Sequence, residues 1–148
     1  MLNTQTSLDF TGVEKASLRP VYLSDYPKSS QAFLNHLRLT ARECRSAAHT
    51  DLFTACAVLS VSAPVSRNAH AQVLMKCLAQ ALGKTPLMYR PDVEEVSFDE
   101  AWLIRTGEAA ASKDWDSFEF LIRSRVPKIS RRNVGALLVS ISDQFALT

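Results

Sequence analysis

The chain has 148 residues, 47% of them hydrophobic and 22% charged, with a formal net charge of +2. That is the length and composition of one ordinary globular domain, which excludes disorder along the whole chain. Four glycines and three cysteines also argue against turn-rich β folds, glycine-rich phosphate loops and a disulfide framework.

The small net charge hides a strong asymmetry. Residues 1–91 carry ten basic and five acidic side chains, residues 92–119 two basic and nine acidic, and residues 120–148 five basic and one acidic. Such blocks bear on partners more than the total does. Residues 1–20 hold Asp9, Glu14, Lys15 and Arg19 and no apolar run, so the expected location is cytoplasmic. Cys44, Cys56 and Cys77 then read as reduced thiols buried on helical stripes. The longest nearly apolar stretch, Leu52 to Val65, is broken by Thr54, Ser60, Ser62 and Pro64. It is too short and too polar to span a bilayer.

In chain order, residues 1–28 are polar and hold Gly12, Pro20 and Pro27. They predict an extended arm that docks Leu18, Val21 and Tyr22 on the body. From Ser29 the apolar residues Phe33, Leu34, Leu37, Ala41, Cys44 and Ala48 recur at threes and fours, one stripe of a helix capped by Ser29 or Ser30. Residues 51–63 are apolar all round; their alanines favour a central buried helix, while the tail from Val58 to Val65 tolerates strand. Pro64 ends that element and Ser66 restarts the chain. A stripe through Val73, Leu74, Cys77, Leu78, Ala81 and Leu82 follows and stops at Gly83.

Residues 84–96, with Pro86 and Pro91, read as a loop. Ser97-Phe98-Asp99-Glu100 has the form of a capping box opening a helix that uses Phe98, Ala101, Trp102 and Leu103 as its apolar residues, with Trp102 in the core. Asp114 or Asp116 caps the next, which carries Trp115, Phe118, Leu121 and Ile122, with Phe118 and Ile122 in the core, and is closed by Pro127. Ser130 caps the last, with Val134, Leu137, Leu138, Ile141 and Phe145 inward. The expected fold is therefore all-α: an extended N-terminal arm over residues 1–28, then a single compact bundle of five to six helices over 29–148.

Two basic clusters stand out. Asn35, Arg38, Arg42, Arg45 and His49 step by threes and fours along one face of the first long helix. Arg forks suit phosphate and carboxylate alike, so Arg38, Arg42, Arg45 and His49 are candidates for binding a protein partner. The competing reading is a solvated face, or pairing within the fold with the acidic block at 92–119. The second cluster is Arg123, Arg125, Lys128, Arg131 and Arg132, with Asn133 beside it and no acid from Phe120 to Ser142. Around residues 117–142 it has the local look of a helix-turn-helix recognition segment, in which a capped helix offers its first turn to bases or phosphates. Its turn, Val126-Pro127-Lys128, lacks the glycine such turns often contain. The sequence pI of about 8.5 is also low for a nucleic-acid module.

Chemistry is harder to find. His36-Leu37-Arg38-Leu39-Thr40 is loosely similar to the phospho-accepting histidine segment of sensor kinases, but the acidic residue expected after the histidine is replaced by Leu37. The histidines and cysteines lack paired metal-ligand spacing, and there is no Gly-x-Ser-x-Gly elbow. The expectation is a non-enzymatic helical interaction or regulatory protein without cofactor or metal. It docks a protein partner through charged helix faces, and the alternative is a DNA-binding regulator. Oligomeric state is not legible from these patterns.

Overall fold

Prolines mark where three of the described helices begin. The computed structural model describes residues 19–46 and 63–145. Helix α1 (Lys28–Ser46) starts directly after Pro27, whose carbonyl accepts the Gln31 amide at 3.0 Å. Helix α2 (Ala63–Leu82) carries Pro64 in its first turn. Helix α5 (Lys128–Phe145) follows Pro127, which accepts the Ser130 amide at 2.9 Å. Proline suits these places because a helix leaves its first amides unbonded and needs the φ that the ring fixes. Each helix therefore begins earlier than the serines suggested. Ser29, Ser30 and Ser130 lie inside helices rather than capping them, and Ser66 lies within α2 rather than restarting the chain.

Between α2 and α5 the local signals hold. Gly83 ends α2 with φ of +71°, a left-handed position that glycine adopts without strain. Helix α3 (Phe98–Ala111) is opened by Ser97, whose hydroxyl accepts the Glu100 amide while the Glu100 carboxylate accepts that of Ser97. Helix α4 (Trp115–Arg125) is capped by Asp114, which accepts the Ser117 amide at 3.2 Å. The Trp102 indole N–H donates to the Leu121 carbonyl at 2.9 Å and fastens α3 to α4.

The loop expected over 84–96 contains a short strand, β2 (Glu95–Val96), which pairs antiparallel with β1 (Val21–Tyr22). Val21 lies opposite Val96, and the Leu23 amide donates to the Glu94 carbonyl. The described part of the N-terminal arm is thus held by this ribbon. Val21 packs against the core while Tyr22 stays exposed.

The described residues form five helices and one two-residue ribbon, an all-α bundle. Helix α5 is its hub and packs on α1, α2, α3 and α4. Phe33, Leu34 and Leu37 of α1, Leu74 and Leu78 of α2, Ile104 of α3 and Leu138 and Ile141 of α5 are fully enclosed. Phe118 and Phe145, expected inside, pack on the rim of this core, and Leu82 is half-buried. Cys44 and Cys77 are half-buried thiols rather than enclosed ones. Residues 51–62 of the expected apolar element, with Cys56, and the arm before residue 19, with Leu18, lie outside the described residues. Among the described residues, no helix is long and apolar enough to cross a membrane.

Candidate functional site

The first basic stripe divides on folding. Arg38 lies beside Leu34, Leu37 and Ala41 on the flank of the apolar face, and its side chain is 1% exposed. It is withdrawn from the surface stripe and cannot meet a partner there. Arg42 is exposed, whereas the Arg45 side chain and His49 lie outside the described residues. His36 is half-buried, its ring 5.2 Å from that of Phe145.

Arg38 instead joins the acidic block from inside. Nε donates to Glu100 Oε2 at 2.6 Å and Nη2 to Oε1 at 3.0 Å. The remaining N–H groups donate to the carbonyls of Arg90, Val93 and Glu95. All five donors of the guanidinium are engaged, which a buried cation requires. Glu100 is equally saturated, since its two oxygens also accept the amides of Ser97 and Tyr89. One buried pair thus ties α1, the 87–96 loop and the start of α3 into a rigid corner.

A second pair lies beside it. Arg125, at the end of α4, donates from Nη2 to Asp99 Oδ1 at 2.6 Å. Asp99 Oδ2 accepts the Leu87 amide at 2.6 Å, and the Ser97 hydroxyl donates to the Leu87 carbonyl. The Arg125 guanidinium also sits 5.3 Å from the ring centres of both Phe98 and Trp102, within cation–π reach.

These contacts bring the loop at Leu87 against the start of α3. Phe98 belongs to the apolar set of the helix that Ser97 opens, but as the first residue of α3 it has no preceding turn to pack on and is 77% exposed. Leu87 is 55% exposed on the adjoining loop, and Ile129 in the first turn of α5 is 90% exposed. Sequence reasoning missed all three as surface residues. The usable signal was position: Phe98 directly follows the helix cap and Ile129 lies between Lys128 and Ser130 at a helix start.

The second basic cluster is partly engaged within the fold. Arg123 pairs with Glu119 on its own helix at 2.6 Å, both side chains remaining exposed. Arg125 is held by Asp99 as described, and Arg131 donates from Nε to the Val126 carbonyl at 2.9 Å. Lys128, Arg132 and Asn133 are exposed. Because α5 begins at Lys128, Arg131 and Arg132 stand beyond the first three amides that a helix N-terminus offers to an anion.

Elsewhere, the buried Ser30 hydroxyl donates to Glu108 Oε2 at 3.1 Å. The Tyr26 phenol is pushed up by burial and by the Glu108 charge, against an opposing pull from Arg105. Among the described residues, no group of three or more His, Cys, Asp or Glu side chains is arranged to hold a metal ion. Comparison with protein-family models, with curated protein sequences and with solved structures finds no match to this chain.

Proposed function

We propose that this protein is a non-enzymatic interaction module that docks a protein partner through the exposed apolar side chains Leu87 and Phe98, and Ile129 at the start of α5. The observation that supports this is Phe98: an aromatic ring 77% exposed, with the Arg125 guanidinium 5.3 Å from its centre. Scattered apolar side chains on a surface are ordinary. An exposed aromatic next to arginine is different, because such residues are enriched among those that anchor interfaces. Lys128 and Arg132, exposed with Ile129 at the start of α5, favour an acidic partner surface and speed encounter. The docking residues are therefore apolar side chains with basic neighbours, and Arg38 supports the turn before Phe98 from within.

Capture from nuclease-treated cell extract tests this. The wild-type chain should retain a protein that the Phe98→Ser/Ile129→Ser variant loses while keeping its thermal melt. Retention by the variant overturns the reading. The helix-turn-helix alternative predicts instead that duplex DNA binds the chain, with an affinity that falls steeply as salt rises and depends on Lys128 and Arg132.

A further inference from the structure

A second exposed surface lies on the other side of α4. Asp116, Glu119, Phe120 and Arg123 recur at threes and fours and form one stripe, all exposed. Arg125 lies nine residues from Asp116, half a turn out of phase, and faces α3. Phe120 is 72% exposed in the middle of the stripe, with acids on its N-terminal side and a base on its C-terminal side.

That order is self-complementary. We propose that this face pairs with its own counterpart on a second copy of the chain, the two α4 helices antiparallel about a two-fold axis between Glu119 and Phe120. In that arrangement Asp116 faces Arg123 of the second copy, and the reverse pair repeats across the axis, as an isologous contact demands. Phe120 lies against the stem of Glu119 and beside Phe120 of the second copy, where aromatic rings pack well. The half-exposed Trp115, edge-on to Phe118 at 5.7 Å, falls opposite Ser124, a side chain small enough to leave it room. The Glu119–Arg123 pair within α4 is no obstacle, since both side chains are about 60% exposed and an ion pair so open to solvent holds its members weakly. This contact does not use Phe98 or Ile129, so it is independent of the proposed docking residues.

Sedimentation equilibrium of the full chain over a concentration series decides the matter. The weight-average mass should rise from 16.4 kDa toward twice that value. Phe120→Ser, at a position with little role in the fold, should weaken association about tenfold or more. Asp116→Arg and Arg123→Asp should each do the same by setting like charges face to face, and the double variant should restore the dimer. A wild-type chain that stays monomeric throughout overturns the proposal. So does a dimer indifferent to Phe120→Ser, or a folded double variant that does not recover. If the charge variants lose their helical spectrum, the Phe120→Ser result alone decides.

Discussion

Arg38 of α1 and Glu100 of α3 are 62 residues apart in sequence and meet with Nε 2.6 Å from Oε2, both side chains enclosed. Around them converge the carbonyls of Arg90, Val93 and Glu95 and the amides of Tyr89 and Ser97. The loop from Tyr89 to Glu95 and the turn before Phe98 are therefore held by this ion pair, and Leu87 by Asp99 and Ser97 beside it. Removing either charge leaves the other in a site built to compensate it, which is the costly way to break a buried pair.

Arg38→Ala should accordingly destabilise the fold by about 3–5 kcal/mol. Arg38→Lys should recover little, because an ammonium cannot fill five fixed donor positions. Arg42→Ala, one turn further along α1 and exposed, should change stability by less than about 0.5 kcal/mol. Denaturant melts of the three variants check this, and equal losses at Arg38 and Arg42 would refute the buried assignment.

The Arg38 result also shows what the sequence could and could not convey. The cap at Ser97, the glycine stop at Gly83 and the cap at Asp114 are decided by residues within a few positions of one another. They were legible for that reason. Arg38 and Arg42 occupy the same stripe, and nothing within α1 distinguishes a buried guanidinium from a solvated one until Glu100 is brought beside it. Pairing with the acidic block was one of three readings open, and only tertiary packing chooses it. Helix starts were misread for a different reason: serine and proline both mark a start, and at Pro27, Pro64 and Pro127 the proline governs. The exposure of Phe98 was not legible because a helix start, even one correctly placed, does not say which first-turn side chain packs inward until the neighbouring elements are in position.

Acid should loosen the start of α4 in a defined order. Hydrogen bonds from Ser117 hold the Asp114 carboxyl below its ordinary value. A depressed carboxyl contributes stability above its unfolded pKa, about pH 4, and loses it as pH falls through the folded value. Protection of the Ser117 amide from hydrogen exchange should fall in that low range. Asp114→Asn, which still caps but does not titrate, should flatten the change. Unaltered pH dependence in the variant would show that Asp114 is not the group responsible.

Thiol chemistry offers a further check on packing. Burial pushes the Cys44 thiol up, opposed by Lys76 and assisted by Glu43. Since the thiolate is the reactive form, labelling of Cys44 in the native chain should rise with pH at a higher midpoint than in denaturant. Lys76→Gln should move that midpoint higher again. A native midpoint at or below the denatured one would contradict the half-buried placement.

The most direct test of the docking account places a photoreactive phenylalanine analogue at position 98 in the intact protein, inside its own cell, with a second chain labelled at exposed Gln80 as reference. The account predicts a protein adduct at position 98 that survives nuclease, and no matching adduct at position 80. Adducts to nucleic acid at position 98, adducts only to a second copy of the chain, or none at all would contradict it.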